Sequence, residues 1–162
     1  MINKINFLFV TLFGIGKIKK IPGSLASLAQ HYFCFFISYF KYFSKYRFNF
    51  LIIIFFISLY AVNIFIKDLE NKDPKEVVID EFIGQSIPLC LYEVAHNVPK
   101  ETGEILKFYF IMFILFRIFD ITKPFPVSYY EKNFKNSLGV IMDDVCAGLY
   151  VVAILVLYMV FT

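Results

Sequence analysis

With 162 residues the chain has room for one domain, yet 59% of them are hydrophobic, only 18% are charged, and 22 are phenylalanine. Soluble domains hold roughly 45–50% apolar residues, and a soluble fold this small would leave too much of that surface in water. A net charge of +3 without an arginine-rich stripe excludes a nucleic-acid binder. Cys34, Cys90 and Cys146 are isolated and indicate neither a disulfide framework nor a zinc site.

In chain order, residues 1–16 contain a short apolar run without a small-x-small cleavage pattern, and lysines follow it. This segment reads as a retained helix lying at a membrane interface. A polar loop, 14–23, leads into a helix over 24–40. Residues 21–40 are 20 in number and uncharged, near the roughly 20 needed to cross a bilayer. A basic turn at 41–47 returns the chain through the uncharged run 48–66. The polar stretch 67–75 precedes a third helix over 77–94, and a turn at 96–103 precedes a fourth that ends near residue 121. Pro124 and Pro126 stop it, and a loop to about residue 138 feeds a last helix with the uncharged run 145–162. The short runs 82–92 and 108–116 fit either helices reaching an interface or a pair of buried core helices. The expected fold is an all-α integral membrane bundle of about four to five helices with an N-terminal interfacial helix, forming a single domain over 1–162.

If every long helix crosses, eleven of the 16 basic residues fall on one side and five on the other. The positive-inside rule makes the richer side cytoplasmic. Three polar clusters interrupt apolar sequence on that side: Asp80-Glu81, Arg117 to Lys123, and Asp143-Asp144. A lone Asp at the centre of a membrane helix costs about 2.5–3.5 kcal/mol on insertion scales, so paired acids there need compensation. Asp80, Glu81, Asp143 and Asp144 would repel one another unless a cation lies between them. Mg²⁺, which takes carboxylates, waters and phosphate oxygens, suits such a set. Arg117 and Asp120 share a helix face, and Lys123 follows at the helix end. Lys20 precedes Pro22-Gly23-Ser24, where a helix N-terminus favours an anion and Ser24 can cap it or bind a ligand. Each feature has an ordinary alternative: Glu81 and Asp143 as first-turn acids favoured by the helix dipole, Arg117–Asp120 as a structural ion pair, the lysines as interface anchors.

Taken together, Ile79-Asp80-Glu81-Phe82-Ile83-Gly84-Gln85, the run Phe116 to Pro126 that holds Arg117-Ile118-Phe119-Asp120 and Lys123-Pro124, and Gly139-Val140-Ile141-Met142-Asp143-Asp144-Val145-Cys146-Ala147-Gly148 resemble the phosphatidylglycerophosphatase A family. Ala26 stands where that family shows a second glycine. The resemblance implies a Mg²⁺-dependent, multi-pass enzyme of the bacterial inner membrane, with its active face cytoplasmic. Its substrate would be a phospholipid, phosphatidylglycerophosphate, cleaved to phosphatidylglycerol and phosphate. It places Asp80, Glu81, Asp120, Asp143 and Asp144 in the active region, with Arg117 and Lys123 beside them.

The expected chemistry is metal-assisted hydrolysis of a phosphomonoester. Asp80, Glu81, Asp143 and Asp144 would hold Mg²⁺, while Lys20, Ser24, Arg117 and Lys123 would meet the phosphorylated substrate. Asp120 would orient the attacking water or act as base, with an aspartyl-phosphate route also open. An ion-conducting or transport protein is the alternative from another class, since it too places acids among spanning helices.

Overall fold

In the computed structural model, which describes residues 4–38, 46–95 and 102–161, no strand is present among those residues and every regular element is helical. The α-helices are α1 (Lys4–Val10), α2 (Pro22–Ser38), α3 (Arg47–Ile66), α4 (Ile79–Ala95), α5 (Thr102–Thr122), α6 (Val127–Asn133) and α7 (Ser137–Phe161), with a 3₁₀ turn at Ile15–Lys17. The five long helices match the expected helices to within a few residues over the described range. Most of the turn expected at 41–47, and residues 96–101 of the next one, lie outside the described residues.

α4 and α7 are the centre. They form the most extensive helix pair among the described residues, and both apolar cores draw on them. One core joins them to α1 and α3 through Val10, Val62, Phe65, Ile79, Ile83 and Ile141. The other joins them to α2 and α5 through Cys34, Leu89, Met112, Phe116, Ala147 and Val151.

Two glycines let α4 and α7 approach closely. A Cβ on Gly84 would stand 2.5 Å from the carbonyl oxygen of Asp144, and one on Gly148 would stand 2.3 Å from that of Gly84. Pro88 lies inside α4 and has no N–H to offer Gly84, four residues back. The Gly84 carbonyl, freed in this way, faces a Gly148 Cα–H, a weak contact that recurs where helices touch backbone to backbone. Progress along α4 and α7 is matched, so the two helices run in the same direction.

α1 is fastened to the bundle. Asn6 donates from Nδ2 to the Ala61 carbonyl at 3.0 Å, and Val78 N–H donates to the Val10 carbonyl at 3.0 Å. One local feature, the helix α6 within the expected loop, differs from the expectation, while α7 starts where it was expected. The prolines that stop α5 also start α6, with Pro126 at its N-cap, where a proline without an N–H leaves no helical hydrogen bond unmade. α7 begins at Ser137, where Asn136 Oδ1 accepts the Leu138 and Gly139 N–H groups at 3.1 Å each, satisfying donors a helix start leaves open.

α3 and α7 are long and apolar enough to cross a membrane, with mean hydropathies of 2.4 and 2.3, and 28% of each apolar window is buried. A core helix of a soluble protein would be mostly buried.

Candidate active site

Asp80 and Asp144 each precede a close-approach glycine by four residues, Asp80 before Gly84 and Asp144 before Gly148. Positions four apart share a helix face. The face along which α4 meets α7 therefore carries an acid from each helix, one turn beyond the point of contact. Glu81 joins them, and one carboxylate oxygen from each of Asp80, Glu81 and Asp144 lies within 4.8 Å of the others.

The neighbours are acidic too. The Asp120 carboxyl at the end of α5 lies against Asp144 and is held by Arg117 Nη1 at 2.8 Å. Asp143 turns from the triad to Lys123, whose Nζ is 3.2 Å from its Oδ2. The backbone repeats a pattern in both helices: Glu81 N–H donates to Asp80 Oδ1 at 3.0 Å, and Asp144 N–H to Asp143 Oδ1 at 2.9 Å. Asp80 and Glu81 do sit in the first turn of α4. α7 has no acid in its first turn, so the helix dipole, which fades within one turn, does not account for Asp143 or Asp144.

α2 closes the site from the N-terminal side. A Cβ on Gly23 would fall 1.9 Å from Glu81 Oε1 and 3.4 Å from Arg117 Nη1, so glycine lets the helix start rest on that pair without displacing the Glu81 carboxylate. Ser24 is half-buried in this turn, and Lys20 is exposed just outside it. Ile21 and Lys123 both have left-handed backbone, with φ of 49° and 43°. For a β-branched residue such as Ile21 that conformation is an outlier, and strain of about 1–3 kcal/mol at such positions accumulates around functional sites.

Five carboxylates thus gather around two cations, Arg117 and Lys123, among the described residues. Glu81 Oε2 and Asp144 Oδ1 are buried without a hydrogen-bond partner, as is Arg117 Nε. Unpaired buried charge is costly, and crowded like charges demand a cation or protons. A divalent metal fits these donors: they are hard oxygens, they converge, and two of them lack any other partner. The acids collect at one end of the bundle rather than along its length, an arrangement that lends the transport alternative no support.

Reading the sequence alone brought all these acids to one region but missed what joins them. Gly23, Gly84 and Gly148 make the approaches possible, and the matched spacing Asp80/Gly84 and Asp144/Gly148 was the signal available. Gln85, on α4 one turn after Glu81, is fully buried, and neither its Oε1 nor its Nε2 has a partner. Its place within an apolar run was its only mark.

The fold and the site define a helical protein with a buried carboxylate centre suited to a divalent cation. The sequence profile of phosphatidylglycerophosphatase A matches residues 8–159, and the chain belongs to that family. It is 45% identical over 80 residues to a Bacteroides thetaiotaomicron protein provisionally named phosphatidylinositol-3-phosphatase, covering 49% of this chain and 45% of the relative. It is 36% identical over 89 residues to phosphatidylglycerophosphatase A of Haemophilus influenzae (54% and 48% covered). With the Escherichia coli protein of that name it shares 28% identity over 145 residues, covering 88% and 77%. The chain thus spans about half the length of the first two relatives it matches. No solved structure gives a significant match.

Proposed function

We propose that the protein is a Mg²⁺-dependent phosphatase that hydrolyses phosphatidylglycerophosphate to phosphatidylglycerol and phosphate in phospholipid biosynthesis. The observation that carries this reading is the convergence of Asp80, Glu81 and Asp144 within 4.8 Å, in a chain of this family. The relatives' names share one chemistry, removal of a phosphomonoester from a lipid headgroup that is a polyol.

Asp80, Glu81 and Asp144 would hold the metal, and Asp143 would support them while paired with Lys123. A Mg²⁺ held there would neutralise the acids and supply Lewis-acid polarisation of the phosphoryl group. Arg117 at the centre, and Lys123 beside it on Asp143, balance negative charge that grows on the phosphoryl oxygens. Lys20 and Ser24, at the start of α2, meet the phosphate from the side where free backbone N–H groups point. Asp120, held by Arg117, orients the attacking water and takes its proton. The water oxygen bonds to phosphorus, the P–O bond to the headgroup breaks, and the headgroup oxygen gains a proton.

The five long helices form a multi-pass bundle in the inner membrane. Outward apolar surface supports this, and it extends beyond α3 and α7: Tyr32 on α2 is 71% exposed and Phe110 on α5 is 65% exposed, an area a soluble monomer rarely tolerates. The acid end faces the cytoplasm, as the lysine distribution suggests. Phosphate release from vesicles containing phosphatidylglycerophosphate tests the reading. Release with Mg²⁺ that stops on adding EDTA and returns with excess Mg²⁺ is expected. Undiminished release in chelator would remove the metal, and no release under any condition would remove the activity.

A further inference from the structure

A cleft of about 260 Å³ opens beside the acid centre, between the turn after α3 and the start of α7. Its lining includes Glu70, Asn71, Asp73, Phe134, Lys135 and Asp143. Asp143 forms a wall common to cleft and site, one residue from the triad member Asp144. The cleft and the acid centre therefore adjoin through Asp143.

The cleft is built rather than incidental. Asn71 folds the turn on itself, its Nδ2 donating to the Asp73 carbonyl at 2.8 Å and its Oδ1 accepting the Asp73 N–H at 3.0 Å. Lys72 fastens that turn to the end of α3 by donating to the Ile66 and Lys67 carbonyls at 2.9 Å each. On the opposite wall a Cβ at Gly139 would stand 1.7 Å from the Phe134 carbonyl oxygen, so glycine lets the segment before α7 fold down and present Phe134 and Lys135.

Charge decides what fits. Glu70, Asp73 and Asp143 stand against Lys72 and Lys135 in the lining, and Lys72 is already committed to carbonyl oxygens. With no positive surplus, a second phosphate would be repelled. Hydroxyl groups, which donate and accept together, match an ammonium and carboxylates side by side. The Phe134 ring offers an apolar surface to C–H groups. We infer that this cleft receives the uncharged polyol part of the headgroup whose phosphate is cleaved at the triad, with Lys135 and Glu70 as specificity-determining residues. The inference rests on the phosphatase reading above and adds the determinant of substrate choice.

The full-length protein, reconstituted in vesicles with Mg²⁺, is assayed on three phosphomonoesters. These are phosphatidylglycerophosphate, free glycerol 3-phosphate, and phenyl phosphate, which carries no polyol. In Lys135→Ala and Glu70→Ala, kcat/KM for both polyol substrates falls about tenfold relative to phenyl phosphate, the scale of one lost charged hydrogen bond. Lys135→Arg restores the ratio, and Glu70→Trp, which fills the cleft, lowers it further. Both residues are exposed, and the phenyl phosphate arm reports a damaged centre separately. An unchanged ratio overturns the inference, as does a fall confined to the lipid arm, which would mark Lys135 as a membrane contact. Either result leaves the phosphatase reading standing. A wild-type protein that hydrolyses none of the three removes that reading and the inference with it.

Discussion

At the start of α4, Asp80 and Glu81 meet Asp144 and Asp120, with Arg117 and Lys123 as the cations paired to acids of this group. Twelve residues on from Glu81, roughly 18 Å at about 1.5 Å per residue, Glu93 sits in different company. It pairs with buried Arg47 at 3.3 Å and accepts the Tyr109 hydroxyl hydrogen bond at 2.6 Å. Nearby, His31 bridges the Ser27 and Tyr109 carbonyls at 2.8 and 2.9 Å, tying α2 to α5. One end holds five acids to two cations, the other one to one. Balanced charge closes a structure, whereas surplus charge of one sign reserves room for a ligand.

Neutralising an acid should therefore act in opposite directions at the two ends. Asp144→Asn is expected to lower kcat about 10³-fold or more, roughly 4 kcal/mol of barrier, while the metal-free protein becomes more resistant to heat. Relief of repulsion among buried carboxylates raises stability, the usual exchange of stability against function at such sites. Mg²⁺ should raise the wild-type melting temperature and leave that of the variant nearly unchanged. A variant that melts lower than wild type in EDTA would mean that the acids are already compensated, and the contrast between the ends would collapse.

Glu93→Gln should do the reverse. Removing one partner of a buried pair costs about 3–5 kcal/mol, here with Arg47 6% exposed, and kcat should stay within about twofold because the triad is a helix length away. Replacing both partners, Arg47→Met with Glu93→Leu, should recover most of the loss. Denaturation of the reconstituted variants reads the first effect, and phosphate release reads the second.

Gly84→Ala tests what brings the acids together. The added methyl would meet the Asp144 backbone at 2.5 Å, and backbone cannot swing aside as a side chain can. A loss of about 1–3 kcal/mol is expected, together with a weaker Mg²⁺ response, since moving α4 from α7 separates Asp80 from Asp144. Gly23→Ala meets a Glu81 side-chain oxygen instead, so it should disturb activity more than stability.

These contacts also show how far the sequence could be read. The uncharged run 48–66 gave α3 almost to the residue, Arg47–Ile66, because charge is excluded from nearly all of that segment, whereas the ends of α4, α5 and α7 run on through charged residues and were set by turns and prolines. α6 escaped because prolines were read only as stops. Asp80, Glu81 and Asp144 were legible as a group through the cost of acids in apolar sequence. The Arg47–Glu93 pair was not, since nothing local links residues so far apart, and each alone reads as a helix-end charge. The place of Asp143 was beyond reach for another reason. Adjacent residues on a helix point about 100° apart, so Asp143 and Asp144 cannot share one direction, and only the fold of 123–137 shows that Lys123 waits on the other side.

The smallest expected effect concerns that same residue. If Asp143 serves chiefly as the partner of Lys123 at 3.2 Å, Asp143→Asn and Lys123→Met should each lower kcat/KM about tenfold, and the double variant should fall little further, because both single changes break one interaction. If Asp143 instead binds the metal directly, Asp143→Asn should fall as far as Asp144→Asn and lose the Mg²⁺-dependent rise in melting temperature, while Lys123→Met keeps it. A double-mutant cycle on activity separates the two roles.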